Sequence, residues 1–133
     1  MSGKKILIID DDQPLLLGLS ARLKANGYGV VSAMDGISAI AVARKEAPDL
    51  IILDLGLPAG DGFLVLERMK GLADLGSIPV IVLSARDPAG NEKRVLDAGA
   101  VAFFQKPPDN HEFLAAIRQA LGETIALSTF LKT

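Results

Sequence analysis

The sequence predicts a doubly wound α/β domain, a five-stranded parallel sheet with helices on both faces. Three observations carry that expectation. Short apolar runs each end in a polar residue: Ile6-Leu7-Ile8-Ile9 before Asp10-Asp11-Asp12, Leu50-Ile51-Ile52-Leu53 before Asp54, Val80-Ile81-Val82-Leu83 before Ser84, and Phe103-Phe104-Gln105 before Lys106-Pro107. Continuous apolar runs of this length, bounded by breakers, read as strands buried on both faces, which is the mark of a parallel sheet covered by helices. Helical patterns separate the runs, so strand and helix alternate five times, as a doubly wound sheet requires. The 133 residues suit one domain, able to bury roughly two-thirds of its unfolded surface.

In chain order, the strand of residues 6–9 is followed by Asp12, placed to cap a helix with Pro14 in its first turn. Leu15, Leu16, Leu19 and Leu23 share one face of that helix, and Asn26-Gly27 stops it. A short strand lies around Val30-Val31. Asp35 then caps a helix through Ile37, Ile40 and Ala41, closed by Pro48. The strand ending at Asp54 opens into Gly56-Leu57-Pro58-Ala59-Gly60, whose glycines and proline exclude regular structure. Phe63, Leu66 and Met69 mark a third helix, and residues 91–98 a short fourth one stopped by Gly99. Asp109 with Glu112 three residues on resembles a capping box before Phe113, Leu114, Ile117 and Leu121. The segment from Gly122 to Thr133 does not continue the scheme and reads as a C-terminal extension or linker stub.

Composition narrows the function. Fourteen basic against sixteen acidic residues give a slightly acidic chain, with no pull toward nucleic acid or an anionic membrane. The absence of cysteine removes disulfides, thiolate catalysis and thiolate metal sites together. Lys4-Lys5 precedes only four apolar residues, whereas a signal h-region needs about 7–15 and a spanning helix about 20. A cytoplasmic location is expected.

In a parallel sheet all carboxyl ends share one edge, and open α/β folds bind their ligands there. Acids, a hydroxyl and an amine therefore converge, making a site suited to a cation and a phosphoryl group. The acidic Ile9-Asp10-Asp11-Asp12 stretch, the Asp-Leu-x-Leu-Pro stretch of Asp54 to Pro58 with Asp61-Gly62 after it, Ser84-Ala85 and Lys106-Pro107 occur in this order and spacing. Together they resemble the receiver domain of bacterial two-component response regulators, over residues 4–121. The resemblance implies the flavodoxin-like strand order 2-1-3-4-5 and a cis peptide at Lys106-Pro107. It also implies a signalling switch rather than an enzyme, with a sensor histidine kinase or phosphotransfer protein as donor and a downstream effector that the sequence does not name.

On that resemblance Asp54 is the phosphoacceptor. A carboxylate and a phosphoryl group repel, so a cation must bridge them. Mg²⁺ prefers carboxylates, carbonyls and water. Asp11 and Asp54 are the expected direct ligands, the Gly56 carbonyl a third, and Asp10 acts through a bound water. Lys106 is expected to neutralise phosphoryl oxygens and Ser84 to donate its hydroxyl. Alone, Ser84 would read as an ordinary strand-end turn residue. Phe103 stands where the family places a switch aromatic, and equally reads as a core ring. His111 opens the last helix away from this edge, as a solvated surface residue.

Two other classes compete. A small Mg²⁺-dependent phosphatase of the haloacid-dehalogenase kind wants a second acid where Gly56 stands. A nucleotide or flavin binder needs a phosphate-cradling loop where Asp10-Asp11-Asp12 would repel phosphate. A degenerate receiver used only for docking would not need every site residue. Val101 and Ala102 occupy positions where DNA-binding receivers often carry acids for dimer contacts, so a monomer or a weak activation-dependent dimer is expected. The resemblance implies that Gly56 and Arg86 flank the path of hydrolytic water; Arg86 reads either as a group that obstructs attack and prolongs the phosphoryl lifetime or, equally, as a mobile surface residue of the Arg86-Asp87-Pro88 turn.

Overall fold

A computed structural model of the chain describes residues 3–58 and 61–123. Its elements are β1 (Lys5–Ile9), α1 (Gln13–Ala25), β2 (Gly29–Ala33), α2 (Gly36–Glu46), β3 (Leu50–Leu53), α3 (Gly62–Gly71), β4 (Val80–Ser84), α4 (Pro88–Asp97), β5 (Ala102–Gln105) and α5 (Asn110–Ala120). The five strands form one sheet in the order β2-β1-β3-β4-β5, and every pairing is parallel. This is the doubly wound, flavodoxin-like architecture expected from the sequence.

Alternation inside the apolar runs explains why they are continuous. Leu7, Ile9, Ile51, Leu53, Val80 and Val82 face one side, where they pack with Ala39, Ile40 and Ala43 of α2, Phe63, Leu66 and Met69 of α3, and Val95 of α4. Ile6, Ile8, Leu50, Ile52, Ile81 and Leu83 face the other, against Leu16, Leu19 and Leu23 of α1 and Phe113 and Ile117 of α5. Strands covered on both faces have no position for a polar residue until they end. That places Asp10, Asp54, Ser84 and Lys106 at one edge, and registers such as Ile9 opposite Leu53 align the ends.

The helices begin where capping residues stand. Asp12 accepts the Leu15 N–H at 3.2 Å, Asp35 the Ser38 N–H at 2.7 Å and Asp109 the Glu112 N–H at 3.0 Å. Asn26 caps the C-terminus of α1, and Gly27 follows at φ 91°. The fourth helix begins earlier than its sequence pattern, at Pro88. Ala89 and Gly90 nevertheless leave helical geometry, Gly90 at φ 76°, so the regular turns start at Asn91. Ala59 and Gly60 of the expected loop, and the extension from residue 124 onward, lie outside the described residues.

The end of α5 is tied to the opposite corner of the sheet. The Tyr28 hydroxyl donates to Glu123 at 2.6 Å, Arg118 donates to Asn26 at 3.2 Å, and the Lys4 ammonium to the Leu121 carbonyl at 3.0 Å. Burial, then the Glu123 carboxylate, push the Tyr28 phenol up to about 12. A phenol raised in the fold above its ordinary value of about 10 stabilises the fold fully below pH 10 and loses that contribution as pH rises toward 12. Tyr28→Phe should therefore flatten the alkaline fall in stability between pH 10 and 12, read by denaturant unfolding across that range. An alkaline fall identical to the parent's would contradict this role for the phenol.

Candidate functional site

The end of β1 delivers Asp10 and the end of β3 delivers Asp54. Both are buried, at 2% and 7% exposure, although each carries a carboxylate. Burial of such groups requires partners. Asp10 uses both oxygens: one accepts the Asp12 N–H at 2.9 Å, the other the Lys106 ammonium at 2.8 Å. Lys106 stands 3.7 Å from the second carboxylate, that of Asp54. The lysine arrives from the end of β5, where its main-chain N–H donates to the Ser84 carbonyl at 2.8 Å and the Lys106–Pro107 peptide is cis.

Asp11 is exposed at the mouth of this pocket. Carboxylate oxygens of Asp10, Asp11 and Asp54 all lie within 4.8 Å of one another. Three hard oxygen donors so arranged, one of them open to solvent, fit a hard divalent cation of the Mg²⁺ kind. Gly56 is exposed beyond Asp54, and its main-chain N–H favours the ionised Asp54 carboxylate.

Electrostatics distinguishes the groups. Burial, then the Asp10 charge, hold the Asp54 carboxyl above its usual range, while Lys106 and the Gly56 N–H pull it back only in part. Burial alone would lower the Lys106 ammonium. The hydrogen bond to Asp10 and the charge of Asp54 outweigh it, and the net displacement is upward. Lys106 is thus held as a cation between two acids.

Ser84 ends β4 almost fully buried, and its Oγ accepts the Arg86 N–H at 3.2 Å. The Arg86 side chain lies 4.0 Å from Asp61, at the cap of α3, and 5.9 Å from the centre of the Phe63 ring. Phe103 is turned inward in the core beside Val82 and Val95. His111 is exposed on α5, as expected.

Two features escaped sequence reasoning. The Arg94 guanidinium lies over the Phe63 ring, 3.6 Å from its centre. No spacing rule links a residue of α4 to one of α3, although an arginine among the exposed positions of a helix with few apolar residues was a usable hint. The other is a groove of about 560 Å³ between α1 and the β5–α5 connection, lined by Leu15, Leu19, Arg22, Lys106, Pro107 and Pro108 among others.

The chain matches the family model described as the response regulator receiver domain, over residues 6–118. The transcriptional regulatory protein KdpE of Mycobacterium tuberculosis is 40% identical to it over 121 residues, covering 91% of this chain and 52% of that protein. The chain therefore spans about half the length of this curated relative. Among solved structures, a CheY-like receiver domain protein of Methanospirillum hungatei superposes with a TM-score of 0.83 at 30% identity, covering 91% of this chain and 95% of the other. The receiver domain of a sensor histidine kinase from Pseudomonas aeruginosa, solved with a magnesium ion coordinated in its active-site cleft, gives 0.82 at 27% identity, covering 92% of this chain and all of the other.

Proposed function

The chain belongs to the response regulator receiver domain family, and from that premise we propose that it is a phosphorylation-controlled switch whose Asp54 accepts a phosphoryl group from a histidine kinase or phosphotransfer partner. Mg²⁺ would be held by Asp11, Asp54 and the Gly56 carbonyl, and through water by Asp10. The observation that carries this reading is the half-buried Lys106 ammonium, set between Asp10 at 2.8 Å and Asp54 at 3.7 Å where two central strands end.

An oxygen of Asp54 attacks phosphorus, and the bond from phosphorus to the donor nitrogen breaks, its electron pair staying with the nitrogen. When bound, the cation supplies the positive charge that brings the two anionic partners together. Lys106 turns from Asp10 toward the transferred oxygens and neutralises them. Ser84, one residue beyond the level of Asp54 in the ladder, donates its hydroxyl. The groove beside Lys106, with apolar walls and Arg22 at its rim, suits the approach of a donor helix. No helix among the described residues is long and apolar enough to cross a membrane.

Output would leave through the face of α4, β5 and α5. Leu96 and Val101 are exposed there at 42% and 52%, and a shallow cavity lies between Val101, Ala102, Ala116 and Ala120. Biased by the acyl phosphate, this face would read a two-state equilibrium to an effector or to a weakly associating second copy.

Incubation with Mg²⁺ and a small phosphodonor, followed by intact mass and hydroxylamine treatment, tests the reading. Addition of a single hydroxylamine-sensitive phosphoryl group is expected. Continuous turnover of the donor would indicate a phosphatase, and no modification at all a docking module.

A further inference from the structure

Helix α4 is thinly anchored. Val95 is its one buried residue, its first turn is broken at Ala89 and Gly90, and its exposed side carries Leu96. The helix also sets the Arg94 guanidinium on the Phe63 ring, at 3.6 Å from the centre. Phe63 is itself buried, at 1% exposure. Its N–H donates to Asp61 at 3.0 Å, and the preceding Gly62 rests on the main chain of Asp54 and Leu55. The same ring has a second cation beside it, Arg86 at 5.9 Å, whose N–H is bound to the Ser84 hydroxyl.

We propose that Phe63 is a latch plate contested by two arginines, and that withdrawal of Arg86 toward an anion at Asp54 leaves the ring to Arg94 and tightens α4. Two guanidiniums at one ring repel, so each weakens the other's hold. Arg86 is the looser of the pair, farther from the ring and held to Asp61 only at 4.0 Å. It is also the one tethered through its main chain to Ser84. Oxygens placed at Asp54 attract Arg86 and relieve Arg94 of a like charge. A helix with one apolar anchor is sensitive to a contact of this size. Arg94 thus acts as a positioning residue for α4, and it touches nothing that reacts.

The inference rests on the phosphoryl-site reading of Asp54, and the test separates the two. Beryllofluoride with Mg²⁺ serves as the phosphoryl probe, its binding followed by fluorine resonance and α4 order by hydrogen exchange of residues 91–98. In the parent, the probe should slow α4 exchange by about two- to fivefold. Arg94→Gln should bind the probe yet lose that slowing, and Arg94→Lys should keep part of it. Arg86→Ala should show slowed exchange without the probe and no further slowing with it. Equal slowing in Arg94→Gln and the parent overturns the latch, as does parent-like exchange in probe-free Arg86→Ala. Failure of the parent to bind the probe would count against the phosphoryl site, while the probe-free Arg86→Ala measurement still decides the contest for the ring.

Discussion

Asp54→Asn should abolish phosphoryl incorporation while making the protein more stable in the absence of divalent cation. The two effects have one origin. Asp54 is 7% exposed, and burial and the charge of Asp10 hold its carboxyl above the usual range. A carboxyl raised in the fold stabilises it fully below its ordinary value and loses that contribution as pH rises through the folded value. Above that folded value the ionised group is therefore a burden on the fold. Asparagine keeps the shape, removes the charge and offers no nucleophilic oxygen. It also relieves repulsion with Asp10, at the cost of one partner for Lys106. The checks are labelling with a small phosphodonor and thermal melting with and without Mg²⁺. The variant should incorporate nothing, melt higher without cation, and gain less from cation than the parent. Parent-like labelling would remove Asp54 from the acceptor role.

Gly62→Ala should cost stability on the order of 3 kcal/mol and slow phosphoryl transfer as well. A Cβ at this position would lie 2.4 Å from the Asp54 carbonyl oxygen and 2.5 Å from the Leu55 Cα. Both are main-chain atoms, which cannot rotate away as a side-chain tip can. The start of α3 must move off β3, and the Gly62 N–H bond to the Leu55 carbonyl, now 3.1 Å, moves with it. Because the obstructing carbonyl belongs to Asp54, the displacement reaches the proposed acceptor directly. A shift of about 1 Å at a reacting group lowers rates on the order of a hundredfold. Denaturant unfolding and the rate of labelling of the folded fraction measure the two effects. A variant within about 0.5 kcal/mol of the parent would show that the α3 start adjusts freely.

Much of the fold was legible because parallel strands buried on both faces tolerate few polar residues. Their ends were marked by Asp10, Asp54 and Ser84, and the helix starts by Asp12, Asp35 and Asp109, each of which does cap its helix. That convergence made the pocket legible too, since Asp10, Asp11, Asp54 and Lys106 do meet. Strand order was not legible from pattern and came only through the resemblance, because periodicity says which face a residue takes and nothing about which strand lies beside it. The left-handed turn at Ala47, φ 47°, was hidden because alanine has no preference for that geometry. The Phe63–Arg94 stack was hidden for a different reason. A cation over a ring depends on where two helices pass each other, which local sequence does not encode.

Asp10, Asp11 and Asp54 set against Lys106 leave the pocket two negative charges in excess when all three carboxyls are ionised. A divalent cation cancels that excess, and a phosphoryl dianion carried on Asp54, in place of its carboxylate charge, would bring back one of the two. Neither arrival completes the arrangement by itself: the phosphoryl group alone meets repulsion, and the cation alone brings nothing to transfer. On the proposed function, a domain so built would perform a conjunction, its answer following the product of two concentrations. If Asp54 is the acceptor, a cell starved of the free cation would leave this switch deaf to its phosphodonor.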